Sequence, residues 1–187
     1  MTWRITVPIR SPSRTILIGV SLMVLARTSP GAVVEATPTG FLIEHEVAIQ
    51  ARPEKVYTAL IHVERWWAPM HTYSGNSMNL SIDPTPGGCF CEHLGSGGAV
   101  EHMRVINVQP NKLLRMSGAL GPLQASGLAG SLTWMLVPGP TATTLRLSYS
   151  VGGYLKGGAD KMAPVVDRVL GEQIQRLKAF VEGRRAS

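Results

Sequence analysis

Cysteine is scarce: only Cys89 and Cys91 occur, too few for a disulfide framework, and one residue between them is not the paired spacing of a zinc ribbon. Aromatic residues make up 6% of the chain and charged residues 16%, against 44% apolar. That balance excludes a disordered tail and a coiled coil, and 187 residues suit one globular domain of ordinary size. No Gly-x-Ser-x-Gly elbow is present, and no Gly-rich segment leads into a helix through Lys-Ser or Lys-Thr. Neither a serine nucleophile nor a phosphate cradle is therefore expected.

Positive charge exceeds negative by six, with 18 Lys and Arg against 12 Asp and Glu. Much of the excess lies at the start of the chain. Arg4, Arg10 and Arg14 precede an uncharged, largely apolar stretch from Ile16 to Ala26, after which Pro30 and Gly31 break any helix and small residues follow. This charged, apolar, small order reads as an export signal over residues 1–36, with cleavage after Ala26, Ala32 or Ala36 and Ala36 preferred. This stretch of eleven residues is short of the ~20 that cross a bilayer, so no stable membrane span is expected after cleavage. A cut after Ala36 takes four Arg and one Glu with it, leaving 14 basic and 11 acidic side chains on residues 37–187. That ordinary balance removes the main argument for a nucleic-acid partner, and the expected location is periplasmic or secreted.

Residues 37–187 read as a single domain. Phe41, Ile43, Val47 and Ile49 alternate with Glu44 and Glu46, the period-two signature of a half-buried strand that puts His45 on its apolar face. Pro53 suits the first turn of a helix, Val56, Ala59, Leu60 and Val63 follow at helical spacing, and Pro69 predicts an end near Trp66–Pro69. Ten of the 20 glycines then fall between Thr72 and Gly130, in clusters that read as turns between short strands. Strands are predicted near residues 79–83, 89–94, 100–109, 112–117, 130–137 and 143–151, about seven with the first. Val166, Leu170, Ile174, Leu177 and Val181 mark a long final amphipathic helix, widened by Val165, Val169 and Phe180 and closed by Gly183. The fold class is thus α+β, with a curved antiparallel sheet wrapped along one long helix.

The run Ala51-Arg52-Pro53-Glu54-Lys55-Val56-Tyr57-Thr58-Ala59-Leu60 and the following Arg65-Trp66-Trp67-Ala68-Pro69 resemble the opening of the SRPBCC superfamily. Pro86-Gly87-Gly88 before a strand with Glu92, Leu132-Thr133-Trp134, Leu145-Arg146-Leu147 and the terminal helix extend the likeness over roughly residues 41–183. The superfamily includes START lipid-transfer domains, birch-pollen-type allergens, polyketide cyclases and activators of heat-shock ATPases. The resemblance implies a helix-grip fold with a cavity between sheet and helix, but not a reaction. The co-chaperone branch acts on a cytosolic ATPase, which conflicts with the export signal.

Candidate site residues follow from parity. On the strand from Cys89, the residues Cys89, Cys91 and His93 share one face and Phe90, Glu92 and Leu94 the other; either could line the cavity. On the next strand Val100, His102, Arg104, Ile106 and Val108 alternate with Glu101, Met103, Val105 and Asn107. The loop after the first helix offers His71 and Tyr73. A polar group in an apolar cavity must find a partner, so His71, Tyr73, Glu92 and His102 are the expected ligand contacts. Trp66 and Trp67 read as packing residues, and Leu120–Gln124 as a loop at the sheet rim. Alternate residues on one strand face stand about 7 Å apart, which argues against three of them converging on one metal ion and against a Cys89–Cys91 disulfide. Two free thiols, no metal and no cofactor are expected. The preferred function is binding of a small apolar or amphipathic molecule; a cyclase- or hydratase-type enzyme moving a proton with a cavity carboxylate or histidine is the alternative.

Overall fold

The computed structural model describes residues 32–184, so most of the predicted export signal lies outside the described residues. Eight strands form one antiparallel sheet: β1 (Ala32–Thr37), β2 (Gly40–Ile49), β3 (Leu80–Ile82), β4 (Cys89–His93), β5 (Ala99–Gln109), β6 (Leu113–Gly118), β7 (Leu128–Pro138) and β8 (Thr143–Gly153). Their order is β1-β2-β8-β7-β6-β5-β4-β3, so the first long strand pairs with the last and the chain crosses to the far edge before β3. That crossing carries helix α1 (Pro53–Ile61), and the long helix α2 (Ala163–Val181) closes the chain against the sheet. The architecture is the α+β helix grip.

The alternation in β2 holds: Phe41, Ile43, Val47 and Ile49 are buried while Glu44 and Glu46 are exposed. Trp134, Tyr149, Leu132, Leu145 and Leu147 continue that inner face across β7 and β8. The count of seven strands is corrected by β1, whose Ala-Val-Val-Glu-Ala-Thr sequence is mostly exposed and so lacks the alternation that marks a half-buried strand. It pairs with β2 from Ala32 opposite Glu44 to Thr37 opposite Gly40. Of the expected cleavage points, Ala26 would leave β1 whole, whereas Ala36 would remove all of it but Thr37.

The predicted end of the first helix near Trp66–Pro69 is also corrected. α1 stops at Ile61, and residues 63–65 and 69–71 form separate single 3₁₀ turns. The early stop lets both tryptophans enter the core, where Trp66 Nε1–H donates to the Ala59 carbonyl at 2.9 Å. Continuing the helix would carry one of two consecutive large side chains away from the core.

In α2 the residues Leu170, Ile174, Leu177 and Val181 are buried as the pattern requires. The carboxy-terminal half is also tied by polar contacts. Gln173 Oε1 accepts the Ala68 N–H at 2.8 Å, Arg176 Nε–H donates to the Trp66 carbonyl at 2.9 Å, and Glu182 Oε1 accepts the Gln50 N–H at 2.9 Å. Lys178 Nζ bridges the Ala48 carbonyl and Glu182. Gly183, at φ +69°, ends the helix with its N–H on Phe180 O and the Arg184 N–H on Ala179 O, the paired bonds of a left-handed cap.

Candidate functional site

Beneath the amino-terminal half of α2 lies a cavity of about 410 Å³. Met162, Val165, Val166, Val169 and Leu170 form its aliphatic wall. Trp67, Phe90, His102 and Tyr73 form an aromatic wall in which successive ring centroids stand 5.7, 5.0 and 5.9 Å apart. Exposed Met70, Tyr73 and Pro122 stand at the rim, where the Tyr73 hydroxyl donates to the Gly121 carbonyl at 2.9 Å and joins the two rim loops. The Leu120 N–H donates to Tyr149 Oη at 3.1 Å, and burial pushes that phenol up to about 12, so it stays protonated.

Three of the four predicted site residues come together at one end. β4 turns Phe90 and Glu92 inward and leaves Cys89 and Cys91 half-buried on the other face. Glu92 is fully buried, with Oε1 accepting the Ser74 N–H at 2.5 Å and Oε2 accepting the Tyr73 N–H at 3.0 Å. His102 Nε2 is 3.0 Å from the same Oε2. Burial alone would raise the Glu92 pKa, but bonds from the Ser74 hydroxyl and N–H, the Tyr73 N–H and His102 outweigh it and hold the carboxyl below its ordinary range. For His102 the balance runs the other way: burial lowers its pKa more than the Glu92 hydrogen bond and charge raise it. At neutral pH the pair is a carboxylate beside a neutral imidazole. His71 stands apart, with Nε2 3.1 Å from Glu172 Oε2 on α2, and contacts the cavity from the rim side.

Simple alternation puts His102 and Met103 on opposite faces, yet both are buried. Phe90 pairs with Met103 and Cys91 with Glu101, so His102 is an extra residue in β5, and this bulge turns its ring to the cavity side. Gly118 at the end of β6 permits the arrangement. With φ +149°, a Cβ there would stand 2.7 Å from the His102 carbonyl oxygen and 2.9 Å from the Met103 Cα. Opposite the bulge β4 is compressed: the Cα atoms of Cys89 and Cys91 are 5.3 Å apart, where an extended strand spaces such residues by about 6.5–7 Å. The expectation of two free thiols is therefore corrected, because Cys89 and Cys91 form a disulfide.

Other candidates lie elsewhere. His93 is exposed, and His45 is buried against α2 with Nε2 2.9 Å from Asp167 Oδ1, close but not aligned as a hydrogen bond. Among the described residues no group of three or more His, Cys, Asp or Glu is placed to hold a metal ion. Sequence reasoning missed Trp67 as a wall residue and Ser74 as a partner of Glu92. The alternation in β4 was the available signal for Phe90; a single loop serine carries none.

Residues 50–182 match the family described as activator of Hsp90 ATPase homolog 1-like protein. The chain belongs to this family. Among solved structures it is similar to protein MLL2253 from Mesorhizobium loti, at 23% identity and TM-score 0.57, over 77% of this chain and 98% of that one. It is also similar to Aha1 from Colwellia psychrerythraea, solved as a dimer, at 21% identity and TM-score 0.56, over 75% and 96%. A third likeness is to the di-domain ARO/CYC StfQ from the steffimycin biosynthetic pathway, at 14% identity and TM-score 0.52, over 78% and 52%. At these identities the structures establish the fold, and the resemblance to the SRPBCC superfamily stands at the level of family and fold. No curated protein matches the chain.

Proposed function

We propose that this protein holds a small apolar or amphipathic molecule in the cavity under α2. One observation carries the reading: a space of about 410 Å³, inside the 300–1,000 Å³ range of small-molecule sites, walled by aliphatic and aromatic side chains and holding one buried polar pair at its end. Glu92 positions His102 and the Tyr73–Ser74 backbone, while His102, Tyr73 and His71 meet the ligand. Titration with the apolar fluorophore N-phenyl-1-naphthylamine tests this. Emission should rise on binding to the wild type and be lost in Val166→Trp, which fills the space; equal binding by both would refute it.

A second reading, proton transfer to or from a bound carbonyl compound, is favoured by the same pair, since a neutral imidazole oriented by a carboxylate is a competent general base. It requires Glu92→Gln to slow turnover of such a compound while binding persists.

The proposal includes export. The order of residues before β1 supports it, and so does the Cys89–Cys91 disulfide, since such bonds persist in oxidising compartments. Among the described residues no helix is long and apolar enough to cross a membrane. Intact mass and native mass spectrometry of the envelope form would read both its first residue and any small molecule that co-purifies; a full-length protein retained in the cytosol would refute export.

A further inference from the structure

The side-chain hydrogen-bond donors on the cavity wall are engaged, and an acceptor at its buried end is not. The Tyr73 hydroxyl donates to Gly121 O, the Thr72 hydroxyl to Pro69 O and the Trp67 indole N–H to His71 O, while His71 Nε2 is paired with Glu172. At the Glu92 end the two backbone N–H groups can only donate, so the carboxylate accepts from Tyr73 and Ser74 and remains an acceptor toward His102. His102 Nε2 must therefore carry the proton, and a neutral ring then keeps its lone pair on Nδ1. Among the described residues Nδ1 makes no hydrogen bond, and unlike His45 Nε2 and Gln173 Nε2 it is not sealed from solvent. The His102 ring is 6% exposed and lines the cavity, which makes Nδ1 the ring nitrogen left for a ligand once Nε2 is held by Glu92.

The lining of the space adds a second constraint. The rings of Trp67, Phe90, His102 and Tyr73, tilted or edge-on to one another, and the aliphatic side chains of Val165, Val166 and Val169 line the same space, so the ligand meets apolar surface apart from a few polar groups. We infer that the ligand is a largely apolar compound with a neutral hydroxyl group, and that His102 Nδ1 accepts the hydrogen bond from this hydroxyl. This rests on the reading of the cavity as a ligand site and narrows its chemistry: ketones, ethers and carboxylates offer Nδ1 only acceptors and are disfavoured, since two lone pairs would then meet in an apolar wall.

Competition against bound N-phenyl-1-naphthylamine with 2-naphthol and 2-methoxynaphthalene tests the inference, because the two differ in the donor. The wild type should prefer 2-naphthol about tenfold, the worth of one buried hydrogen bond. In His102→Phe the preference should disappear while both compounds still compete. Glu92→Gln should keep the preference: the Tyr73 N–H can only donate, so the amide oxygen takes the Oε2 place, Nε2 keeps its proton and Nδ1 its lone pair. Thermal unfolding of each variant identifies any that fails to fold, and the wild-type comparison of the two compounds stands without His102→Phe. Equal affinity of the wild type for the two compounds, or a preference retained in His102→Phe, overturns the inference and leaves the cavity as a ligand site. Failure of both compounds and of the fluorophore to bind overturns the cavity reading and this inference together.

Discussion

The two halves of α2 share one amphipathic pattern and do different work. From Gln173 to Glu182 the helix is locked: Ile174, Leu177 and Val181 are buried, and Gln173, Arg176, Lys178 and Glu182 bond to backbone groups of the loop after α1 and the end of β2. From Ala163 to Leu170 it lies over the cavity, with Val166 and Val169 half-buried and Val165 46% exposed. An apolar stripe on a helix therefore marks a face that avoids water without saying whether protein or empty space lies opposite. The side-chain bonds to backbone groups of other elements belong to the half that closes the core, whereas the other half borders the cavity.

The largest expected effect comes from Leu177→Ala, which should cost about 2–5 kcal/mol because the truncated side chain is packed on all sides. Leu170→Ala should cost less by about 1 kcal/mol or more, since one side of Leu170 already faces the cavity and has fewer contacts to lose. Urea unfolding midpoints give both values, and equal losses would erase the distinction between the halves. Next, Gln173→Ala should destabilise by about 1–3 kcal/mol, as it leaves the buried Ala68 N–H without its acceptor.

Acid should distinguish the two ends by pH window. His102 has a folded pKa below its ordinary 6.5, so its contribution is whole above that pH and is lost as pH falls from 6.5 toward the folded value. Glu92 adds to the loss below about 4.5, its ordinary value, because its folded pKa is also depressed. At the locked end, burial raises the Glu182 pKa, but bonds from Gln50, Lys178 and Arg184 hold it at about 2, so its contribution is present above 4.5 and disappears between 4.5 and about 2. Stability measured against pH should lose its first acid step in His102→Phe and keep it in Glu182→Gln. At the bottom of the scale, Val165→Ser on the exposed side of the cavity roof should change stability by no more than about 0.5 kcal/mol.

How legible these regions were follows the same division. The final helix, its Gly183 cap and the alternation of β2 could be read directly, because each depends on local periodicity or a single backbone conformation. Glu92 could be placed among apolar neighbours by parity alone. His102 lines the cavity, but the alternation of β5 fails at that residue: the bulge adds a residue only where β5 pairs with β4, a matter of tertiary register. The Cys89–Cys91 disulfide was rejected on ordinary strand spacing, which the compression opposite the bulge removes. β1 carries almost no alternation because most of it is exposed, so nothing in its residues separated it from an export leader. The carboxylate acceptors of the site depend on two backbone N–H groups from Tyr73 and Ser74, which are the same in every residue but proline and leave no mark in a sequence.

The most direct measurement is a ¹H–¹⁵N correlation spectrum of the protein titrated with N-phenyl-1-naphthylamine. Amide shifts should move for Trp67, Tyr73, His102, Val166 and Val169 around the cavity, while those of Ile174 to Val181 stay in place. Shifts spread evenly along α2, or concentrated on its locked half, would contradict a helix whose one end closes a core and whose other end roofs a binding site.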